Sequence, residues 1–468
     1  MTSAPGDLLR GTLNAVLGRT GPGARGEAFA ERVLRITHYR DGKRKGPVLT
    51  RGGQGAALRL WAGKRVQFVA ADGKVGPALR ACVRQLESCT VDPPPTRSLD
   101  SGMPGPLAQA AGRDAAGTHA ASYLEGLETG LSRRLPGVAW SLALQITDRS
   151  TWVVSEDGDL HASQWRWSRL RVDACREGGA EAHWTGGAPD MDRLCRVHPL
   201  PVLARRMEDQ LRGADASPSR RPVCTASTPV LFAAGAAGVV LHEMVHGLEA
   251  DLLQSGWSRW MSDSHGVSPL LTLWDDPTRP GLHGSYRYDD EGCPADRQLL
   301  VRRGRIVGCL GDRLAAEARP DIRPGHGRRP SWQEPPMPRS GNLCLAAGDD
   351  QVEAVRGERG LLLVVRDLES GATDPRSGDL TLQVTEGEWL ENGRFIAPVS
   401  RMVLVGNVVN LMRRVDRVCS DRAADAGAAT CSREGAGVPI GFLTPSLRTR
   451  GLRVLEEGAA PPETGDRR

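Results

Sequence analysis

Val239-Val240-Leu241-His242-Glu243-Met244-Val245-His246-Gly247-Leu248-Glu249-Ala250-Asp251 is the stretch from which the rest of the chain is read. It sets His-Glu-x-x-His inside an apolar run with helical spacing. Side chains four apart on a helix lie on one face, one turn above each other. His242 and His246 can therefore present two imidazoles to one Zn²⁺. Glu243 stands beside them, placed to take a proton from a zinc-bound water whose pKa the metal lowers to about 7. The ordinary alternative for so short a pattern is a buried helix with two satisfied histidines and a surface Glu. Two features favour a metal. The preceding run, residues 233–241, is small and apolar, as a buried helix requires. Glu249 falls seven residues after His242 on the same face, and three polar groups on an apolar stripe are costly to bury unless something partners them.

A catalytic zinc usually has three protein ligands and one open position. Leu252 stands where the last histidine of a His-x-x-Gly-x-x-His extension would be, and no Glu occurs between Asp251 and Asp290. The residues themselves leave the third ligand open among Glu249, a downstream Asp, His265, His283 and a distant Cys.

Outward from the helix come Gly284-Ser285-Tyr286-Arg287-Tyr288-Asp289-Asp290-Glu291-Gly292-Cys293-Pro294, then Gly327-Arg328-Arg329 and Pro336-Met337-Pro338-Arg339-Ser340-Gly341-Asn342. Cys431-Ser432-Arg433-Glu434-Gly435 and Val438-Pro439-Ile440-Gly441 follow near the end. In this order the series resembles the TldD/PmbA family of zinc metalloproteases, its TldD-like, metal-bearing branch in particular. The resemblance covers residues 225–455 well and residues 25–90 more weakly. It implies a zinc site of His242, His246 and Cys431 with Glu243 as general base. The family motif often carries one more residue between its histidines; the shorter spacing here fits a regular helix without a bulge. Glu249, Asp290, Glu291 and Arg339 are candidates for supporting the ligands or contacting substrate. The resemblance also implies unfolded or short peptides as substrates, and a homodimer or a heterodimer with a TldE/PmbA-like subunit.

The chain has 468 residues, too many for one core. The expected organisation is an N-terminal α+β domain over residues 1–220, for peptide binding and dimerisation, and a zinc metalloprotease domain over residues 221–468. The fold class is α+β: an N-terminal α/β domain, then a mainly antiparallel β catalytic domain carrying the zinc-binding helix. Net charge is +5, and the basic residues are interleaved with acids, so nucleic acid is not an expected partner. Ten cysteines without a Cys-x-x-Cys suggest reduced thiols and a cytoplasmic protein. No secretory signal is read at the start, and the longest apolar stretch, residues 230–241, is too short to span a bilayer.

Local patterns add detail. Residues 1–25 are weakly patterned, and a helix is expected over 27–34. A hairpin is expected from 56–61 and 65–70, with helices at 77–86, 120–135 and 199–212 and strands at 138–147, 151–154 and 164–172. Trp165 and Trp167 read as core aromatics of a strand. Residues 217–221 read as a domain boundary. In the second half, strands are expected at 298–301, 306–310, 360–366, 380–385 and 388–396, a loop over 320–342, a short helix at 407–415, and Cys431 on a loop. The function read from all this is a zinc-dependent peptidase, with peptide bound by strand addition. The alternative is a non-hydrolytic zinc-containing subunit, or a peptide-binding partner in a heterodimeric protease. Intact Glu243 weighs against it, because a structural site needs no base and is normally closed by four ligands.

Overall fold

The computed structural model describes residues 4–20, 23–42, 44–63, 65–88, 113–215, 222, 224–256, 266–399, 401–433 and 435–454. The expected boundary at 217–221 lies outside the described residues, as does His265.

The first half is a six-stranded antiparallel sheet with helices against it. Its strands are β1 (Arg25–Asp41), β2 (Arg44–Ala62), β3 (Arg65–Asp72), β4 (Val138–Ser155), β5 (Leu160–Arg176) and β6 (Glu181–Ala188), in the order β3-β2-β1-β4-β5-β6. Helices α1 (Pro5–Thr20) and α2 (Val75–Ser88) cover one region, where Leu9, Leu13 and Val16 meet Ala28, Ala30 and Leu58. Helices α3 (Arg113–Arg134) and α5 (Leu200–Asp215), with α4 (Met191–Val197) between α3 and α5 in the chain, cover the β4–β6 end. The expected hairpin and the three expected helices are present. Within the weakly patterned residues 1–25, Pro5–Thr20 form a helix, because Leu9, Leu13 and Val16 recur at helical spacing and dock α1 on the sheet.

Residues 27–34 are strand, not helix. Glu27 and Glu31, four apart, imitate one side of a helix. In β1 they share a strand face with Phe29 and Val33, and that face is covered by the second half of the chain. There Arg59 bridges Glu27 at 3.1 Å and Glu291, Arg329 pairs with Glu27, and Arg149 meets Glu31 at 2.6 Å and Asp290 at 3.2 Å. The other face, with Ala28 and Ala30, is buried under helices. With both faces covered, no polar side appears in the sequence.

The second half is built from two sheets around one short helix, α6 (Ala237–Val245). One sheet runs in the order Arg417–Val418, Leu447–Thr449, β7 (Val230–Phe232), Leu361–Thr373, Asp379–Glu391, Met402–Asn407 and Arg453–Val454, with Arg394–Val399 also on Asp379–Glu391. The other runs Arg305–Ile306, Gln298–Arg302, Leu273–Asp275, Asn342–Leu345, Gly441–Thr444 and Ala423–Ala424. Most pairs are antiparallel; β7 with Leu361–Thr373 and Asn342–Leu345 with Gly441–Thr444 are parallel. Val240, Leu241, Met244 and Val245 of α6 enter one large core with residues of both sheets. Gly238 lets the helix approach Phe442, whose Cγ would lie 2.2 Å from a Cβ at that position. Among the described residues no helix is long and apolar enough to cross a membrane.

Candidate metal centre

Helix α6 holds the two histidines in ordinary α geometry, since the His246 N–H bonds the His242 carbonyl. The short motif therefore fits without a bulge. The chain then makes one 3₁₀ turn, His246–Leu248, and Glu249 is extended. The two imidazole rings stand edge to face at 4.5 Å. Cys431 comes from the other side. It lies not on a loop but in the strand Thr430–Arg433, paired with Ala436–Pro439. Small residues on both sides conceal so short a hairpin in the sequence. The ligand atoms of His242, His246 and Cys431 all lie within 4.8 Å of one another.

These residues fit a metal on the structure's own terms. His242 is buried, and neither of its ring nitrogens has a hydrogen-bond partner; leaving such a group unpaired costs about 1–3 kcal/mol. Burial alone would push the Cys431 thiol up. His242 and His246 outweigh it and hold the thiol well below its usual range. Two imidazoles and a thiolate are donors that zinc favours.

The ligands are themselves held. Glu249, fully buried, accepts from His246 Nδ1 at 3.1 Å and from Arg433 Nη1 at 2.9 Å. This turns His246 Nε2 toward Cys431, 3.9 Å away. Arg433 also bonds Asp251 at 2.6 Å. Burial would raise the Glu249 pKa, but His246 and then Arg433 bring it below the usual value. Arg339 is also fully buried, and its Nε and Nη2 lie 3.2 and 3.0 Å from Cys431 Sγ. Its guanidinium is thus occupied by the cysteine and is not offered to the carboxylate of a ligand.

The segment leading to Cys431 is fastened from elsewhere. Gly187 N–H donates to the Ala426 carbonyl at 2.7 Å, His198 Nε2 donates to it at 3.1 Å, and Trp167 Nε1 donates to Gly427 at 2.8 Å. His283, a lone histidine whose first reading is structural and whose second is a ligand, lies against Trp165 and Trp167 and donates from Nδ1 to Ala429 at 2.9 Å. Burial pushes its pKa down to about 3. Three of these four contacts come from the first half of the chain. Sequence reading gave Trp167 a core role and left its indole N–H unassigned.

Glu243 is buried in the wall of a cleft of about 850 Å³ that His242 and His246 also line. Its carboxylate end packs on Gly371, where a Cβ would stand 2.9 Å from Oε1. Gly371 was missed in the sequence, because nothing there marks one glycine among 56. The strand Leu361–Thr373 pairs with β7 only through Val365. Beyond it, residues 366–373 line the cleft, with no strand paired on that side among the described residues.

Asp290 and Glu291 lie apart from this group. They belong to the buried ion network under the first sheet, with Arg149, Arg59 and the backbone N–H groups of Arg329 and Arg313 as partners. Those arginines lie far away in sequence, so the acidic run alone gives no sign of them. Asp289, Glu291 and Cys293 also have ligand atoms within 4.8 Å, but the Asp289 carboxylate is committed to the backbone N–H groups of Glu291, Cys293 and Gly327.

Fold and donor set define an α+β protein with a buried His-His-Cys cluster and a neighbouring Glu at the wall of a cleft. Residues 225–456 match the PmbA/TldA metallopeptidase C-terminal domain, and through this half the chain belongs to the TldD/PmbA family. The metalloprotease TldD homolog of Haemophilus influenzae is 32% identical over 229 residues, 48% of each chain. That of Buchnera aphidicola from Acyrthosiphon pisum is 28% identical over 239 residues, 50% of each. The chain thus spans about half the length of the curated relatives it matches. The crystal structure of TldE from Thermococcus kodakarensis is similar over 92% of this chain and 97% of that one, with a TM-score of 0.69 at 15% identity, a likeness of fold.

Proposed function

We propose that the chain is a zinc peptidase acting on unfolded or short peptides. The observation that carries this reading is the meeting of His242, whose buried nitrogens lack partners, with His246 and a low-pKa Cys431, beside Glu243 in a cleft wall. His242, His246 and Cys431 would hold the metal. When bound, zinc supplies a Lewis acid and makes water acidic enough to ionise near neutral pH. Glu243 takes a proton from the water that attacks the peptide carbonyl and delivers it to the departing amine nitrogen as the C–N bond breaks. Glu249 and Arg339 keep His246 and Cys431 oriented. The unpaired edge of residues 366–373 binds peptide as an added strand, through backbone hydrogen bonds that select extended chains over particular sequences.

Several further assignments rest on the same reading. Residues 1–220 and 221–468 act as two domains, supported by largely separate hydrophobic cores. A homodimer, or a heterodimer with a TldE/PmbA-like subunit, is supported by the exposed pairs Val48/Leu49 and Phe395/Ile396. Free thiols at the described cysteines support a reducing, cytoplasmic setting. The test of the ligand set is metal content. Cys431→Ala should purify with far less zinc than the parent under the same dialysis; equal zinc would move the third ligand elsewhere.

A further inference from the structure

Five arginines line the cleft beside His242 and Glu243: Arg169, Arg171, Arg206, Arg366 and Arg433. Four are engaged. Arg171 pairs with Asp173 at 2.7 Å, Arg206 with Asp367 at 3.3 Å, Arg366 with Glu388 at 3.5 Å, and Arg433 with Glu249 and Asp251. Arg169 has no carboxylate partner among the described residues.

The surroundings explain why it stays unpaired. Arg169 sits in β5 with Trp167 and Arg171 as its neighbours on the same strand face. One is apolar and the other carries the same charge. Opposite it in β6 stands Gly187, which has no side chain to offer. Of the other acids lining the cleft, Asp367 pairs with Arg206, Asp425 accepts from the backbone N–H groups of Gly427 and Phe442, and Glu369 lies nearer Arg171. Arg169 is itself exposed where it lines the cleft, so its guanidinium is open to a ligand, with the like-charged Arg171 beside it. A cation so placed gains on meeting an anion from outside. A guanidinium fits a carboxylate with two parallel hydrogen bonds, a match a lysine cannot reproduce.

We propose that Arg169 binds a carboxylate of the peptide substrate, either the C-terminal carboxylate or an Asp or Glu side chain, so that the cleft favours anionic peptides. The proposal rests on the peptide-cleft reading above and adds a substrate class to it.

The test uses the full chain carrying Glu243→Gln, so that binding is read apart from turnover. Three fluorescein-labelled Gly-Ala hexapeptides serve as probes: one with a free C-terminus, one amidated, and one amidated with a central Glu. Fluorescence anisotropy should show at least one carboxylate-bearing peptide binding about tenfold or more tighter than the neutral amide. Adding Arg169→Gln should make the three affinities converge, and Arg169→Lys should restore part of the difference. Tighter binding of the free-terminus peptide assigns the C-terminal carboxylate; tighter binding of the Glu peptide assigns a side chain. The proposal is overturned if the neutral amide binds as well as the others, if Arg169→Gln leaves the discrimination intact, or if no peptide binds. Carboxylate-dependent binding without cleavage by the parent, even with a TldE/PmbA-like subunit added, would leave this proposal standing and sink the peptidase reading.

Discussion

Replacing Glu249 by Gln tests whether the ligand histidine is set from behind. The side chain is fully buried, with one oxygen 3.1 Å from His246 Nδ1 and the other 2.9 Å from Arg433 Nη1. Both partners are donors. A glutamine of the same shape has one acceptor oxygen and one NH₂, so it can serve either His246 or Arg433 but must face the other with a donor. One hydrogen bond is lost, and a buried donor is left unpaired at about 1–3 kcal/mol. If the loss falls on His246, its ring is free to turn or change tautomer. Partners of metal-bound imidazoles are typically worth 10–100-fold in metal affinity, or about 1.4–2.7 kcal/mol. The assay is zinc competition against a chromophoric chelator, with a thermal melt beside it to establish that the variant is folded. Glu249→Gln should bind zinc about tenfold or more weakly. A folded variant that binds zinc within twofold of the parent would refute the reasoning.

Three more predictions follow from other parts of the molecule. Asp312 caps the helix Arg313–Ala318, accepting from Ala315 N at 2.8 Å; burial, then Glu291, pushes its pKa up to about 7. An unfolded Asp titrates near about 4, so between about 4 and 7 the folded state holds a proton the unfolded state has released, and stability falls as pH rises through that window. Asp312→Asn keeps the cap and should flatten that slope in melts taken across this range; an unchanged slope would contradict the assignment. Gly371→Ala should slow peptide cleavage while leaving melting temperature and zinc content near the parent's, because the atoms a Cβ meets are the movable end of Glu243; unchanged turnover would remove Gly371 from the account. Arg59→Met leaves Glu27 and Glu291 facing each other in the buried network and should cost about 3–5 kcal/mol in denaturant unfolding, whereas a neutral effect would show that the network does not hold the two halves together.

Where the sequence was legible, one face of an element met solvent or a motif fixed geometry. Helices α2, α3 and α5 show one-sided patterns, the β2–β3 hairpin was readable from its tight turn at Gly63 although residues 56–61 are buried on both faces, and the two histidines were readable because α6 is a regular helix. Reading failed in β1, where both faces are covered. β1 buries alanines on one side and Glu27 and Glu31 on the other, and four-residue spacing of acids then mimics a helix. The supporting groups were illegible for a related reason. The partners of Cys431, Asp290 and Glu291 come from residues 92, 141 and 232 positions away, and such pairings leave no local trace. Cys431 itself was found through the family pattern rather than through spacing, since its hairpin is too short to show alternation.

The central claim is hydrolysis that depends on Glu243. It is tested by incubating a mixed pool of short unstructured peptides with the purified chain, and with Glu243→Gln, and reading the products by mass spectrometry with zinc content measured on both. The account predicts new peptide termini with the parent alone and equal zinc in the two proteins. Cleavage by Glu243→Gln at the parent's rate would contradict the mechanism. Zinc in both with cleavage by neither, even with a TldE/PmbA-like subunit added, would contradict the peptidase reading.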